Sequence, residues 1–124
     1  MSEVQNDIIT DVSKDYLVIT MTGRPPVRIR KSQWSIIAKA DGWEGQYESQ
    51  SHRTWHIKVR QKENRYIVYG THITAWTNER DIRVGYLADN MEEVLDLIHK
   101  VADEIGGHER MANDCIANLP AEEI

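Results

Sequence analysis

Apolar and polar residues alternate over short runs through the first two thirds of the chain. Residues 15–21 are rich in β-branched and aromatic side chains, and residues 27–30 alternate apolar with basic side chains. Successive side chains of a strand point to opposite faces of a sheet, so both runs predict strands. A glycine and two prolines within residues 22–26 predict a turn between them. We therefore expect two short paired strands, with Arg28 and Arg30 on a solvated face.

Residues 32–41 are compatible with a helix or a strand. Ser32 is a suitable N-cap residue, and a glycine follows Asp41, where a helix would end. Three apolar residues recur at i, i+3 and i+4, on one side of such a helix: Trp34, Ile37 and Ala38. A strand through residues 34–39 is the competing interpretation. We favour a short helix near residues 32–41, because a cap and a terminating glycine lie where a helix needs them.

The middle of the chain predicts a β-hairpin. Residues 53–60 and 65–71 are rich in strand-forming residues. The polar segment between them includes Asn64, which tolerates the left-handed backbone of a tight turn. The second run can extend to residue 76. A further alternating run over residues 81–88 adds another strand to the same sheet.

The hairpin loop decides which side chains share a face of the sheet. A loop over residues 62–64 places Val59 opposite Ile67. Ile57 then lies opposite Tyr69, and this face is apolar. The other face collects basic and aromatic side chains and one valine: His56, Lys58, Arg60, Tyr66 and Val68. A shift of one residue would mix the two sets, because the side-chain period of a strand is two.

After residue 88 the period of the apolar residues changes from two to about 3.6. Asn90 is a suitable N-cap, and Glu92 and Glu93 in the first turn complement the helix dipole. The apolar stripe that follows consists of Val94, Leu97, Ile98, Val101 and Ile105. A pair of glycines ends this helix, and residues 109–118 predict a second, shorter one.

These elements predict an α+β fold. Both helices need an apolar surface, and one face of an antiparallel sheet provides it. We expect a two-layer sandwich, in which an antiparallel sheet of about four to six strands is covered on one face by the C-terminal helices. The other face should be solvated. At 124 residues the chain fits one compact domain, 1–124, with flexible ends over residues 1–6 and 120–124.

Charge is strongly segregated along the chain. Residues 24–88 carry 12 Lys and Arg against 6 Asp and Glu, whereas residues 89–124 carry 2 against 10. The net charge of −5 therefore hides a dipolar molecule. Basic side chains are expected mainly on the sheet, and acidic side chains on the outer sides of the helices. A partner responds to this local field, not to the net charge.

Signals for catalysis, metal binding or a cofactor are weak. Cys115 is the only cysteine, and its spacing between alanines and isoleucine favours a buried thiol over a nucleophile. Of the five histidines, only His52 and His56 have a spacing of four, which suits a helix, but they lie at the start of a predicted strand. The glycines form neither a phosphate loop nor a dinucleotide-binding fingerprint. We predict no catalytic residue, no cofactor, no metal and no small-molecule substrate.

The sequence favours a non-enzymatic binding or regulatory protein. Its partner would be another protein or a second copy of the chain, because complementary charged surfaces orient association. A nucleic acid is the alternative partner, since cations contact phosphates and aromatic rings stack on bases. The predicted partner-binding residues are Arg28, Arg30, His56, Lys58, Arg60 and Tyr66. Polar first residues, and the lack of an apolar run of ~20 residues, predict no membrane span and a cytoplasmic location.

Overall fold

The computed structural model describes residues 8–10, 15–20, 23 and 25–121 of the chain. Within these residues the chain forms seven strands and two α-helices. The strands are β1 (Ile8–Thr10), β2 (Tyr16–Thr20), β3 (Val27–Arg30), β4 (Ser35–Trp43), β5 (Arg53–Lys62), β6 (Arg65–Thr74) and β7 (Ile82–Ala88), and the helices are α1 (Met91–Glu104) and α2 (Glu109–Ala117). Single 3-10 turns cover Lys31–Gln33 and Glu48–Gln50. The fold is α+β, as predicted.

The strands form one antiparallel sheet in the order β3-β2-β1-β7-β6-β5-β4. β3 and β4 are its two edges, although only residues 31–34 separate them in the chain. The edges of a flat seven-stranded sheet would lie about 29 Å apart. The chain from Arg30 to Ser35 spans at most about 18 Å. The sheet therefore curls, and β3 turns back toward β4.

The two helices cover one face of this sheet, which we call the helix face. α1 packs on β6 and β7, and α2 packs on β4. Ile57, Val59 and Val68 from the sheet lie against Ile98 and Val101 from α1, and all five are inaccessible to solvent. The prediction of two C-terminal helices on one face of an antiparallel sheet is confirmed.

α1 begins at a reciprocal cap and ends at a glycine. Asn90 Oδ1 accepts a hydrogen bond from the Glu93 N–H at 2.9 Å, and Glu93 Oε1 accepts one from the Asp89 N–H at 2.8 Å. These bonds satisfy backbone donors that no helix carbonyl can reach. Gly106 follows the helix with a φ of 75°, a left-handed conformation that glycine adopts without strain.

The opposite face of the sheet, which we call the concave face, is buried where the sheet curls. A second apolar cluster joins β2 and β3 to β6 across this face: Leu17, Ile19, Ile29, Trp34, Ile67 and Tyr69. The prediction of a solvated face is therefore wrong at its centre. The prediction failed because the curl depends on contacts between strands that are distant in the sheet, and the sequence pattern of one strand does not reveal such contacts.

The predicted short helix near residues 32–41 is wrong, and the competing strand interpretation is confirmed. Residues Ser35–Trp43 form β4 and pair with β5. A β-bulge between Ile36 and Ala38 shifts the register. Trp34 consequently lies in the concave cluster while Ala38 lies in the core under the helices. The register shift gives the apolar residues of this strand a spacing that resembles a helical period. Pairing with β5 stabilises the strand, whereas a helix this short would be only weakly stable.

The hairpin of β5 and β6 is confirmed, but its register is shifted by one residue. The loop has two residues rather than three, and its first residue, Glu63, has the left-handed backbone, with a φ of 55°. Val59 therefore pairs with Val68 instead of Ile67. Tyr66 and Val68 consequently belong to the helix face, whereas Ile67 and Tyr69 share the concave face with Lys58 and Arg60.

The start of the chain adds one strand that no pattern predicts. β1 pairs with β2, and its residue Ile8 pairs with Val84 of β7. Together with β4 it brings the number of strands to seven, above the predicted four to six. The predicted flexible ends, 1–6 and 120–124, lie outside the described residues except for Pro120 and Ala121, which are exposed. No helix in the described ranges is long and apolar enough to cross a membrane.

Candidate functional site

A cavity of about 360 Å³ opens on the concave face, beside the second apolar cluster. The strands β5 and β7 and the turn before β4 supply its basic side chains: Lys31, His56, Lys58, Arg60 and Arg83. Leu17, Tyr69 and Ile73 add apolar and aromatic surface. None of the described residues that line this cavity is acidic. We call it the basic cavity.

The pairing of the strands explains why these side chains converge. β5 contributes three alternate residues: His56, Lys58 and Arg60. His56 pairs with Thr71 of β6, and Thr71 pairs with Arg83 of β7. Paired residues in adjacent antiparallel strands share a face. Three neighbouring strands therefore present polar and basic side chains to the same concavity.

Arg60 is held in place by three hydrogen bonds. Its Nε donates to the Tyr69 hydroxyl at 2.8 Å. Its Nη1 donates to the backbone carbonyls of Trp34 at 2.9 Å and of Lys31 at 3.2 Å. These bonds tie β5 to the turn before β4, at the point where the sheet curls. Arg60 thus supplies positive charge at a fixed position, but three of its five donor hydrogens face partners within the protein.

Lys58 and Arg83 are less constrained than Arg60. The Lys58 side chain is half-buried, and its ammonium group makes no hydrogen bond or ion pair within residues 15–20 and 25–121. Arg83 is exposed, and its Nη2 lies 3.5 Å from Oδ2 of Asp81. An exposed ion pair of this kind contributes little to stability. Both cations are therefore available to a ligand.

His56 lies where the basic cavity meets two carboxylates. Its Nδ1 donates to Asp41 Oδ1 at 2.7 Å, and its Nε2 lies 3.6 Å from Oε2 of Glu48. These contacts orient the imidazole and offset positive charge at this side of the cavity. The net positive character therefore rises from His56 toward Lys58.

The structure brings together only three of the six predicted partner-binding residues. These three line the basic cavity: His56, Lys58 and Arg60. Arg28 and Arg30 point away from it, because Ile29 between them belongs to the concave cluster. Their guanidinium carbons lie 4.7 Å and 5.2 Å from the centroid of the Tyr16 ring, on the other face of the sheet.

Tyr66, the sixth predicted residue, lies on the helix face. It packs against the core under the helices, and its hydroxyl accepts a long hydrogen bond of 3.4 Å from Gln61 Nε2. Its predicted position on the same face as Lys58 and Arg60 is wrong because the hairpin register is shifted by one residue.

Sequence reasoning missed the other cationic and aromatic residues of the cavity: Lys31, Tyr69 and Arg83. Tyr69 was placed on the opposite face by the same register shift. The detectable signal was the length of the loop, since a two-residue turn at Glu63 and Asn64 places Tyr69 opposite Lys58. Lys31 and Arg83 come from elements outside this hairpin, and only the order of the strands brings them to it.

Some basic residues of the sheet are already neutralised within the protein. Arg53 Nε donates to Glu79 Oε1 at 2.9 Å, and its Nη1 donates to Glu44 Oε2 at 2.8 Å. Thr74 Oγ1 donates to the same Glu79 oxygen at 2.7 Å. The hydrogen bonds from Arg53 and Thr74 lower the pKa of Glu79 to about 2. The charge of Arg53 is therefore paired within the protein, where it links the loops at this end of the sheet, and it is not available to a partner.

The one cysteine is placed unfavourably for nucleophilic chemistry. Cys115 in α2 is fully buried, and this burial raises the pKa of its thiol to about 12. A thiol attacks as the thiolate, which is scarce at neutral pH when the pKa is this high. Within the described part of the chain, no group of three or more His, Cys, Asp and Glu side chains is arranged to hold a metal ion.

Comparisons with protein families, with curated proteins and with solved structures found no match. The basic cavity is therefore interpreted from its own geometry and charge.

Proposed function

We propose that this protein is a non-enzymatic binding protein whose basic cavity takes an acidic segment of another protein. The observation that carries the proposal is the convergence of four cationic side chains on one concavity: Lys31, Lys58, Arg60 and Arg83. Cations held close together repel one another, and an anionic ligand relieves this repulsion. None of the described lining residues is acidic; Asp81, which lies outside the lining, offsets part of the charge of Arg83.

The apolar part of the cavity indicates which anion would match. Leu17 and Ile73 line it together with the basic side chains. Protein interfaces commonly combine an apolar centre with a polar rim. A segment that carries both acidic and apolar side chains would contact the basic and the apolar residues of the cavity, whereas an inorganic anion would contact only the basic residues. This supports a peptide segment as the ligand.

Nucleic acid is the second candidate partner, because lysine and arginine also contact phosphates. A single strand would in addition need exposed aromatic rings on which its bases stack. Tyr69, which lines the cavity, is only 8% exposed, and Trp34 of the same apolar cluster is only 7% exposed. The cavity thus has donors for phosphate but little stacking surface, which supports the protein segment over the nucleic acid.

A charge-reversed cavity tests the proposal. Lys58→Glu combined with Arg83→Glu changes two side chains that make few contacts, so a thermal melt should remain close to that of the wild type. Binding is measured by fluorescence anisotropy, with a labelled peptide of alternating Glu and Leu and with a labelled single-stranded oligonucleotide. We expect the double variant to bind the peptide at least about tenfold more weakly, since two charge-assisted contacts become repulsive.

The matched control is Lys62→Glu combined with Arg80→Glu. It makes the same change of net charge at two exposed positions outside the cavity. It should bind the peptide within about twofold of the wild type. An equal loss in both double variants would contradict a specific site. Tighter binding of the oligonucleotide than of the peptide, with a steep loss in salt, would favour nucleic acid.

A further inference from the structure

β4 is the longer of the two edges of the sheet. It spans nine residues, and large apolar side chains near its ends are exposed, Ile36 at 47% and Trp43 at 42%. The other edge, β3, has four residues, of which Arg28 and Arg30 are exposed, and it follows two prolines. Short length, charge and proline usually protect a sheet edge from further pairing. β4 is the edge that is more open to another strand.

The backbone groups that β4 presents at this edge can be identified. The N–H of Glu44, just after the strand, donates to the carbonyl of Arg53 at 3.3 Å, so Glu44 points toward β5. Successive residues of a strand direct their backbone groups to opposite sides. The backbone groups of Lys39 and Asp41 therefore point outward. Asn118 Nδ2 at the end of α2 donates to the Lys39 carbonyl at 3.0 Å, which agrees with this direction. A second strand would use the other lone pair of this carbonyl or displace the exposed Asn118 amide.

A groove of about 680 Å³ runs along the same edge. Residues 36–41 and Trp43 form one side of it, and Asp114, Ala117 and Asn118 form the other. A strand placed in this groove would continue the sheet and lie beside the end of α2. Adding a strand to an open edge is a common mode of protein recognition.

We propose that the strand in this groove is β4 of a second copy of the chain, paired antiparallel about a two-fold axis at Ala40. Lys39 of one copy then lies opposite Asp41 of the other, and the symmetry repeats this pair. Both side chains are exposed and point to the concave side, because Ala38 and Ala40 are buried under the helices. Two pairs of opposite charge therefore flank the axis.

Charge selects this register over its neighbours. An axis at Lys39 would place two ammonium groups opposite each other, and an axis at Asp41 would place two carboxylates opposite each other. Like charges directly across two strands are destabilising. With the axis at Ala40, Trp43 of one copy lies opposite Ile37 of the other, in the bulge next to Ile36. The exposed apolar side chains of the two strand ends then cover each other.

Sedimentation equilibrium of the full chain tests this pairing through two opposite charge reversals. Lys39→Glu sets carboxylates opposite each other at both sites, and Asp41→Lys sets ammonium groups opposite each other. We expect the wild-type chain to dimerise and each variant to dimerise at least about tenfold more weakly. An equimolar mixture of the two variants should form a heterodimer with an affinity near that of the wild type, because opposite charges face each other again at both sites.

Two controls keep the test decisive. Lys62→Glu changes the charge by the same amount away from the β4 edge and should dimerise like the wild type. Asp41 also accepts a hydrogen bond from His56, so a thermal melt must show that Asp41→Lys is folded; if it is not, the effect of Lys39→Glu decides alone. A wild-type chain that stays monomeric at about 1 mM, undiminished dimerisation of Lys39→Glu, or folded variants that do not associate when mixed would each overturn the proposal.

Discussion

The two faces of one sheet are buried in different ways. On the helix face, side chains such as Ile57 and Val68 are inaccessible and lie directly under α1. On the concave face, the sheet covers itself, and Ile67 is equally inaccessible at the centre of the smaller cluster. Arg60, which pairs with Ile67 on β5, already lines the basic cavity. The helices cover the helix face over β4 to β7, whereas the curled sheet covers only the centre of its concave face and leaves an open end.

This difference separates the sites of stability from the sites of binding. A substitution on the helix face removes packing and should change stability without changing the cavity. A substitution in the small apolar cluster of the concave face acts on both, because side chains of this cluster, such as Tyr69, also position a cation of the cavity. Effects on stability and effects on binding can therefore be measured independently with variants of the helix face.

The largest effect is expected for Ile98→Asp in the middle of the α1 stripe. Ile98 is fully buried in the core under the helices. A carboxylate there would have no partner and would cost roughly 4 kcal/mol or more, most of the stability of a domain near the lower end of the usual range of about 5–15 kcal/mol. Circular dichroism and a thermal melt measure the loss. Asp96→Ala, on the exposed side of the same helix, should change stability by less than about 0.5 kcal/mol. A cooperative melt of Ile98→Asp at the wild-type temperature would contradict the helix-on-sheet packing.

A smaller effect is expected for Gly70→Ala, where β6 lies between the two regions. The added Cβ would stand 2.5 Å from Cγ1 of Val101 on the helix face, while the backbone of Gly70 lines the basic cavity on the other side. Moving α1 to relieve this overlap should cost about 1–3 kcal/mol by chemical denaturation. Peptide binding by the folded fraction should stay near the wild type.

Gly42→Ala is the matched control for this overlap. Its added Cβ would meet the flexible Met111 side chain, with Sδ at 3.0 Å. Because a thioether can move aside, the loss should be clearly smaller than for Gly70→Ala. Equal losses at the two positions would show that strand glycine itself, rather than the approach of α1, sets the cost.

The helix face was largely predictable from the sequence. The stripe around Ile98, the cap at Asn90 and the change of period after residue 88 are local signals, and each corresponds to a local structure. The alternating runs likewise predicted the strands of the β5 and β6 hairpin. Such features depend on residues a few positions apart, which a sequence presents directly.

The concave face was less predictable, because it depends on contacts between distant segments. The bulge at Ile36 made a strand resemble a helix, and a one-residue error in the loop placed Tyr66 instead of Tyr69 on the face that carries Lys58. Arg83 reaches the cavity only because β7 lies beside β6. Three residues of the candidate site were therefore predicted from β5 alone, Tyr69 required the correct loop length, and Lys31 and Arg83 required the strand order.

The smallest effect, and the sharpest test of the concave face, is expected for Tyr69→Phe. The change keeps the ring in the small cluster but removes the hydroxyl that accepts from Arg60 Nε at 2.8 Å. Loss of this acceptor should cost about 1 kcal/mol of unfolding free energy, and a less fixed Arg60 should weaken peptide binding at the same time. Tyr66→Phe, on the helix face, removes only a hydroxyl at 3.4 Å from Gln61 Nε2 and should change neither quantity measurably. Chemical denaturation and anisotropy on both variants decide the matter: if Tyr69→Phe lowers stability but leaves binding unchanged, Arg60 closes the curled sheet without contributing to the cavity.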